Sequence, residues 1–220
     1  MYGDAADAVN IYELDLWTDL EDGIVRPGGL ALTKRLMDLA KLQPGAAILD
    51  VGCGQGTAVA YLRTSGFDAS GVDCSKKLIE QALSAHPYLP LMQADAEDLP
   101  FDGGFDGVLL ECVLSDARAP RILAECHRIL APGGVLMVSD LYDKEPEGKS
   151  SVTFWHALMN EAGFQVLCFE DHTQALRDFV GRMLWESADF GGLYVCERYK
   201  ALITPGYFAL LACLYNTGEA

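Results

Sequence analysis

The residues of this sequence best placed to do chemistry form a glycine-rich turn directly after an apolar run. The segment Ile48–Thr57 reads ILDVGCGQGT, with glycines at the alternate positions 52, 54 and 56. Glycine has no Cβ, so such a turn can adopt positive φ and approach a ligand closely before the next helix begins. The pattern is typical of a strand that ends at a nucleotide-like cofactor, and also fits a tight strand-to-helix turn without a ligand.

The spacing and charge of this turn discriminate between cofactors. The dinucleotide fingerprint G-x-G-x-x-G requires its third glycine at position 57, where Thr57 stands, and here the third glycine comes early, at Gly56. Asp50 places a negative charge two residues before Gly52, where a phosphate-binding loop favours positive potential. The turn therefore favours a cationic or zwitterionic ligand, with a nicotinamide-dependent oxidoreductase kept as the alternative.

Composition narrows the classes of protein further. The chain has 220 residues, of which 50% are hydrophobic, which suits one domain with a buried core. Its formal net charge of −16, from 32 acidic and 16 basic residues, disfavours a nucleic-acid partner. No apolar run reaches the roughly 18 residues of a membrane span, and the acidic start MYGDAADAVN does not resemble a signal peptide. We expect a cytoplasmic protein without a membrane span.

The seven cysteines are an odd number, are scattered along the chain and form no C-x-x-C pair. A disulfide framework or a metal site is not expected from this spacing. Most of these cysteines are predicted to be small buried hydrophobic residues in a reducing compartment.

Apolar periodicity and turn residues predict that helices and strands alternate along the chain. Strands of near-continuous apolar character, separated by helices, indicate a parallel sheet covered on both faces, hence a doubly wound α/β fold. Helices are predicted over 30–42, 57–64, 76–85 with Ser75 as N-cap, 119–130, and 152–162 with Ser151 as N-cap, and strands over 46–51, 68–72, 90–94, 105–110, 135–139, 164–169 and 206–215.

An acidic residue stands at or near the end of five predicted strands. In a parallel sheet the carboxyl ends of the strands meet at one edge, and ligands bind beyond that edge where the strand order reverses. We therefore expect the five acids to converge on one rim. They are Asp50, Asp73, Asp95, Glu111 and Asp140.

The sequence resembles the class I S-adenosylmethionine-dependent methyltransferases, in particular the small-molecule branch that includes the ubiquinone and menaquinone biosynthesis methyltransferases. The resemblance covers residues 26–215 and rests on LDVGCGQGT at 49–57, GVDCS at 71–75, QADAEDLPFDGGFDGV at 93–108 and RILAPGGVLMVSD at 128–140. It implies a Rossmann-like seven-stranded sheet of order 3-2-1-4-5-7-6 with strand 7 antiparallel. It also implies S-adenosyl-L-methionine as cofactor and a small-molecule methyl acceptor.

The resemblance assigns roles to the motif residues. The backbone of Gly52, Cys53 and Gly54 would lie against the methionine part of the cofactor, and Asp50 would help to hold its ammonium. Asp73 would accept hydrogen bonds from both ribose hydroxyls, since a carboxylate has only acceptors. The cofactor-binding residues that the resemblance implies are Asp50, Gly52, Cys53, Gly54, Gly56, Asp73, Cys74, Asp95, Ala96 and Glu111.

At the other end of the cofactor, Cys74 would border the adenine. Asp95 would accept from its exocyclic amine, and the N–H of Ala96 would meet a ring nitrogen. Glu111 would contact the methionine ammonium or the substrate, or is a solvated loop acid. The segment 26–30, RPGGL, would lie across the cofactor mouth, with an arginine or exposed amides near the methionine carboxylate, or is only a turn and helix start.

Methyl transfer from a sulfonium is an in-line displacement that a dry pocket favours. Correct positioning alone can supply roughly 7–11 kcal/mol, whereas a hydroxyl nucleophile also needs a base. Because the family has no invariant base, a non-catalytic cofactor-binding protein remains a second alternative. Candidate bases are Glu111, Asp140, Tyr142 and His156, with Asp171 and His172 as weaker candidates, and His156 also fits an ordinary half-buried helix position.

Cysteines at the predicted rim suggest one further hypothesis. Cys53, Cys74 and Cys112 all lie in turns there, so a thiol-rich pocket could hold a soft acceptor, as in related enzymes that methylate trivalent arsenic. Their spacing does not match a known arrangement.

We expect a single methyltransferase domain over residues 1–220, as a monomer or homodimer. Tyr2, Tyr12 and Trp17 would cap the site or pack there, and Trp185–Pro205 would line the acceptor pocket or a subunit contact. The predicted parts are an N-terminal cap over 1–29, a core over 30–183, an insertion or pocket-lining segment over 184–205, and the last strand with its tail over 206–220.

Overall fold

A computed structural model describes residues 26–114, 118–145, 148, 150–186 and 205–215 of the chain, with side chains in the last described helix up to Arg182. Helices and strands alternate along it. The helices are α1 (Gly29–Ala40), α2 (Thr57–Thr64), α3 (Lys76–Ala85), α4 (Ala119–Ile129), α5 (Val152–Glu161) and α6 (Thr173–Glu186). The strands are β1 (Ala47–Val51), β2 (Asp68–Asp73), β3 (Leu91–Gln93), β4 (Phe105–Glu111), β5 (Leu130–Tyr142), β6 (Phe164–Asp171) and β7 (Gly206–Leu214).

The strands form one sheet in the order β3-β2-β1-β4-β5-β7-β6. Strand β1 pairs in parallel with β2 and β4, and β5 pairs in parallel with β4. Strand β7 is antiparallel to both of its neighbours, β5 and β6. This topology confirms the α/β fold class, the strand order and the antiparallel last strand that the resemblance implied.

Both faces of the sheet are covered by helices. Helices α1, α2, α3 and α6 pack on one face, where Ile48 of β1 is fully buried. Helices α4 and α5 pack on the other face, where the next residue, Leu49, is also fully buried. Because successive strand side chains point to opposite faces, this double coverage explains the near-continuous apolar strands.

Two helix starts agree with the sequence in detail. The Ser75 hydroxyl accepts a hydrogen bond from the N–H of Leu78 at 3.3 Å and caps α3. The Ser151 hydroxyl accepts from the N–H of Phe154 at 3.3 Å and caps α5. Each cap satisfies one of the N–H groups that a helix start leaves without a partner.

Most element boundaries agree with the prediction to within two residues, and the main differences concern β5, β3 and α6. Strand β5 begins at Leu130 rather than at 135, because Leu130 already pairs with Phe105. The residues 131–134, which lie between the predicted helix and the predicted strand, form an irregularity inside β5, with φ of 81° at Gly133. Strand β3 is shorter than 90–94. Helix α6 was not predicted, although Leu176, Phe179 and Val180 show helical spacing and are buried.

The candidate cap residues Tyr2, Tyr12 and Trp17 lie outside the described residues. The same holds for most of the segment 184–205, so the proposed division into parts stays a prediction. No helix in the described part of the chain is both long enough and apolar enough to cross a membrane.

Candidate functional site

Three of the predicted rim acids interact at the carboxyl edge of the sheet. Asp50, the penultimate residue of β1, is 3% exposed and lies opposite Gly71 of β2 and Leu109 of β4. The pKa of Asp50 is raised to about 8, mainly by burial and also by the charges of Glu111 and Asp73, while the charge of Arg26 acts in the opposite direction. The ends of β1, β2 and β4 therefore bring Asp50, Asp73 and Glu111 together, as the strand pattern predicted.

The glycine turn that follows β1 is held to the end of β2 by one carboxylate. Asp73 accepts a hydrogen bond from the N–H of Gly54 at Oδ2, at 2.8 Å. Its other oxygen, Oδ1, accepts from the N–H of Ser75, also at 2.8 Å. Asp73 is only partly buried, so both oxygens keep lone pairs for hydroxyl groups of a ligand.

The amide donors of the turn are already used inside the fold. The N–H groups of Gly52 and Cys53 both donate to the carbonyl of Val72, at 2.8 and 2.9 Å. The N–H of Gly56 donates to the carbonyl of Cys53 at 2.8 Å. A phosphate-binding loop needs such donors turned toward its ligand. The use of these N–H groups within the fold agrees with the sequence argument against a pyrophosphate. It favours a ligand that donates hydrogen bonds.

All three glycines of the turn have left-handed backbone conformations, with φ of 79° at Gly52, 53° at Gly54 and 75° at Gly56. A Cβ at Gly52 would lie 2.6 Å from Val113, and a Cβ at Gly56 would lie 2.7 Å from Leu91. A Cβ at Gly54 would meet no described atom within 4 Å. Gly54 is thus the position where the backbone itself faces open space beside Asp73.

Glu111, at the end of β4, is buried in a polar network that reaches α1. Its Oε2 lies 2.8 Å from Nη2 of Arg26, and the two side chains are 5% and 14% exposed. The Thr33 hydroxyl accepts from Nη2 of Arg26 at 2.7 Å and lies 3.1 Å from Oε2 of Glu111. Burial raises the pKa of Glu111, against the lowering effects of Arg26 and Thr33. Glu111 is not a solvated loop acid.

Sequence reasoning missed Thr33, which is fully buried beside apolar neighbours of α1. Its signal was a hydroxyl on the apolar face of the predicted helix, between Leu32 and Leu36. A buried hydroxyl needs a partner, so its place on that face pointed to a polar group across the helix–sheet boundary.

A second buried chain of polar groups lies next to Glu111. The Cys112 thiol is 3.1 Å from the hydroxyl of Tyr207 on β7, which is 3.1 Å from the hydroxyl of Ser139 on β5. Cys112 has φ of 62°, unusual for a residue with a side chain. Burial raises the pKa of Cys112 to about 12 and that of Tyr207 well above its usual value, so both groups are neutral.

The rim cysteines do not gather into one site. Cys53 is buried and Cys74 is exposed, and burial raises the pKa of both thiols. Within the described residues no three His, Cys, Asp or Glu side chains are close enough to hold a metal ion. Cys53, Cys74 and Cys112 therefore do not form a three-thiol site there.

The residues predicted to meet the adenine lie in a turn after β3. The N–H of Ala94 donates to the carbonyl of Asp73 at 3.0 Å, which places this turn beside the end of β2. Asp95 is exposed, and its Oδ1 accepts from the N–H of Glu97 at 3.0 Å. Ala96, which lies between Asp95 and Glu97 in the sequence, is half-buried. Cys74 is exposed nearby, with its carbonyl accepting from the Gln93 side chain at 3.1 Å.

Comparisons with known proteins identify the family. A profile of the methyltransferase domain matches residues 49–138. The uncharacterized methyltransferase YodH of Bacillus subtilis is 35% identical over 159 residues, which cover 63% of this chain and 68% of YodH. The chain belongs to the S-adenosylmethionine-dependent methyltransferases. As a member of this family, the enzyme transfers a methyl group from S-adenosylmethionine to a small molecule.

The methyltransferase also has more distant relatives. The phthiotriol/phenolphthiotriol dimycocerosates methyltransferase of Mycobacterium leprae is 33% identical over 160 residues, covering 67% of this chain but only 59% of the relative. The demethylmenaquinone methyltransferase of Beutenbergia cavernae is 32% identical over 126 residues, covering 56% of this chain and 52% of the relative. The chain thus spans little more than half the length of several relatives, and the named relatives do not favour the oxidoreductase alternative.

Solved structures share the fold of the methyltransferase. The [4+2]-cyclase SpnF superposes with a TM-score of 0.73 at 24% identity, covering 84% of this chain and 80% of SpnF. The geranyl diphosphate C-methyltransferase of Streptomyces coelicolor superposes with a TM-score of 0.69 at 17% identity, covering 84% and 79%.

Asp140 of the methyltransferase, a candidate base, is fully buried and holds backbone amides. Its Oδ2 accepts from the N–H of Leu114 at 2.8 Å, and its Oδ1 accepts from the N–H of Leu141 at 2.7 Å. These contacts fix the chain just after β4. The observed task of Asp140 is therefore to position the loop that follows Glu111, and its role as a base stays a prediction.

Tyr142 and His156 contact aromatic residues on the face of the sheet that α4 and α5 cover. Tyr142 is 7% exposed and packs edge-on against Phe169 and Phe208, and burial raises its pKa. The ring of His156 lies 6.2 Å from that of Phe169. Tyr142 thus belongs to the core under α5, and His156 contacts Phe169 at the edge of that core, whereas Cys53 and Cys112 belong to the core under α1.

The two weaker candidates after β6 have local partners. Asp171 accepts from the N–H of Thr173 at 2.7 Å at the start of α6. His172 lies 3.1 Å from a carboxylate oxygen of Glu170. Neither contact involves the glycine turn.

Proposed function

We propose that the enzyme binds S-adenosylmethionine between the glycine turn after β1 and the end of β2, and that the methyl acceptor approaches over the ends of β4 and β5. The observation that carries this proposal is the hydrogen bond between the N–H of Gly54 and Asp73. It places an acceptor-only carboxylate against a glycine whose missing Cβ leaves open space, which suits a ribose.

The methionine end of the cofactor would lie near Asp50 and Glu111. The turn offers a ligand few amide donors, because those of Gly52, Cys53 and Gly54 are used within the fold. An ammonium group needs acceptors, which the turn carbonyls and Asp50 supply. A carboxylate needs a donor, and Nε of Arg26 is buried without a hydrogen-bond partner among the described residues. The residues present therefore fit a zwitterionic amino acid.

The adenine end would lie between Cys74 and the turn after β3. Asp95 is exposed and retains acceptor capacity beyond its bond to Glu97, which suits an exocyclic amine. Ala96 would present its N–H to a ring nitrogen. The bond from Ala94 to the Asp73 carbonyl supports this placement, because it keeps the ribose and adenine contacts next to each other.

The described residues supply positioning rather than acid–base chemistry. S-adenosylmethionine, when bound, supplies a methyl group on a cationic sulfur. The protein side chains nearest the end of β4 are neutral or ion-paired: the thiol of Cys112, the phenol of Tyr207, and Glu111 against Arg26. We propose that the enzyme holds the acceptor in line within this buried setting, a contribution of roughly 7–11 kcal/mol.

The names of relatives show that the family does not restrict the atom attacked. They include an O-methyltransferase of Pyrenophora dematioidea and phosphoethanolamine N-methyltransferase 3 of Arabidopsis thaliana. The geranyl diphosphate C-methyltransferase of Streptomyces coelicolor is an example in which the methylated atom is carbon. A panel of oxygen, nitrogen, carbon and thiol acceptors therefore belongs in the test.

Two measurements test the proposed function. Calorimetry should show binding of S-adenosylhomocysteine to the purified chain, and radiolabel should pass from S-adenosylmethionine to at least one acceptor of the panel. Failure to bind either cofactor form would contradict the proposal. Cofactor binding without any transfer would favour a second function on the same fold, for which the [4+2]-cyclase SpnF is a structural example.

We further propose that the enzyme is cytoplasmic and works as a monomer or homodimer. The six described cysteines are all free thiols, which supports a reducing compartment. Light scattering of the purified chain measures the oligomeric state directly.

A further inference from the structure

A groove of about 670 Å³ opens between the start of α1 and residues 175–182 of α6. No residue of the glycine turn 52–56 lines it, and of the polar network around Glu111 only Arg26 does. The lining residues are Arg26, Gly28, Gly29, Leu30, Ala31, Ala175, Asp178, Phe179 and Arg182.

Two arginines line this groove, and each has one nitrogen without a hydrogen-bond partner. Nε of Arg26 and Nε of Arg182 are both buried and have no hydrogen-bond partner within the described residues. Arg182 makes no ion pair there either. Asp178, one helical turn earlier, would be its natural partner, but it accepts from the side chain of Gln174 at 2.8 Å instead. Asp178 also lines the groove, but within the described residues the half-buried guanidinium of Arg182 has no anion as a partner. Such a charge is unfavourable by itself, and a negative group of a ligand would stabilise it.

The start of α1 adds further donors to the same groove. Its N-cap is Gly28, which provides no side-chain hydrogen bond, and its first turn contains no acidic residue. Within the described residues, the N–H groups of Leu30 and Ala31 have no hydrogen-bond partner. The first N–H groups of a helix and the positive end of its dipole attract anions, and phosphate in particular.

We propose that this groove binds a phosphate group carried by the methyl acceptor, with Arg182 and the N-terminal amides of α1 as its donors. The inference rests on the proposed methyl transfer and names the class of acceptor. An arginine fork and helix amides match the geometry of phosphate oxygens. A chain of net charge −16 repels anions on average, so a phosphorylated acceptor needs such a local site.

The groove is also placed where an anchored acceptor reaches the reaction site. Arg26 lines the groove and contacts Glu111 at the end of β4. A phosphate near Arg182 would leave the remainder of the acceptor directed along Arg26 toward the rim of the sheet. Arg26 thus connects the two sites, while Arg182 belongs to the groove alone.

The test is calorimetric titration of inorganic phosphate into the full chain saturated with S-adenosylhomocysteine. Arg182→Met keeps the apolar stem and removes the charge, and it should raise the dissociation constant at least tenfold. Arg182→Lys should give an intermediate value. The matched control is Arg177→Met, an exposed arginine of the same helix, which should leave phosphate binding unchanged. Thermal unfolding of each variant confirms that it is folded.

Three results would overturn the proposal. One is the absence of phosphate binding to the saturated chain. Another is equal binding by wild type and Arg182→Met. The third is competition between phosphate and S-adenosylhomocysteine together with a tenfold loss of S-adenosylhomocysteine affinity in Arg182→Met, because the groove would then hold the methionine carboxylate. Failure of the wild type to bind S-adenosylhomocysteine contradicts the proposed function instead, and phosphate titration of the ligand-free chain still tests the groove.

Discussion

The N–H of Gly54 donates to Oδ2 of Asp73 at 2.8 Å, which ties the turn after β1 to the end of β2. The other oxygen of Asp73 accepts a hydrogen bond from the N–H of Ser75 at the same distance and thereby fixes the start of α3. One carboxylate thus organises both walls of the proposed adenosine site before any ligand binds. Such preorganisation reduces the entropy that binding must overcome.

Gly54→Ala should weaken cofactor binding more than it weakens the fold. The left-handed φ of 53° costs an alanine about 1 kcal/mol, but its Cβ would meet no described protein atom. A methyl group there would occupy the proposed ligand space, so the dissociation constant of S-adenosylhomocysteine should rise at least tenfold. Calorimetry and chemical denaturation measure the two effects separately.

Gly66→Ala is the matched control for that substitution. Gly66 also has positive φ, 91°, and open space around the position of a Cβ, but it lies in the turn after α2. It should lose similar stability and keep full affinity. An equal loss of affinity in the two variants would contradict the placement of the ligand.

Binding of S-adenosylhomocysteine at pH 7 should release about one proton. Burial and the neighbouring acids raise the pKa of Asp50 to about 8, so the ligand-free enzyme holds this proton at neutral pH. The ammonium of the ligand would lower that pKa and expel the proton. The binding enthalpy measured in buffers of different ionisation enthalpy gives the proton count, and a count of zero for the wild type contradicts the contact.

The stability of the ligand-free enzyme should fall as pH rises from about 4 to about 8. The folded-state pKa of Asp50 is raised above its ordinary value of 3.8, so in this window the folded chain keeps a proton that the unfolded chain releases. The raised pKa of Glu111 acts in the same direction. Asp50→Asn should flatten the slope of the unfolding free energy against pH. An unchanged slope in this variant would assign the effect to other groups.

The thiol of Cys112 should react slowly with iodoacetamide at pH 7.5. Its pKa is raised to about 12 by burial, and it is hydrogen-bonded to Tyr207, so little thiolate is present. Cys112→Ser should retain methyl transfer, because serine can make the same hydrogen bond. Peptide mapping of alkylated protein provides the measurement. Rapid alkylation of Cys112, or loss of transfer in the serine variant, would revive the hypothesis of a soft acceptor held by thiolates.

Much of the fold follows from local sequence signals. Ser75 and Ser151 cap helices where predicted because a hydroxyl at a helix start has a local partner three residues ahead. The order of the strands came from the family resemblance, since periodicity alone does not say which strands are neighbours. The start of β5 was predicted too late because Gly133 and Gly134 interrupt the apolar pattern, whereas Leu130 and Val135 on either side of them both pair with β4.

The candidate site was predictable where chemistry lies at strand ends and not where it depends on packing across the sheet. Asp50, Asp73 and Glu111 meet because parallel strands end at one edge. The partner of Glu111, Thr33, comes from a helix 78 residues away in sequence, and no local pattern links the two. Tyr207 was missed for the same reason, as its contact with Cys112 exists only through the antiparallel insertion of β7.

The most direct test of the proposed cofactor site compares S-adenosylhomocysteine binding in the wild type, Asp73→Asn and Asp68→Asn. Asparagine keeps the shape of Asp73 but places an NH2 donor against the N–H of either Gly54 or Ser75 and removes one acceptor for the ribose. Affinity should therefore fall at least tenfold, with a loss of about 1.5–3 kcal/mol. Asp68 is a control at the opposite end of β2, where its side chain is 75% exposed, and its variant should bind normally. Wild-type affinity in Asp73→Asn would contradict the account.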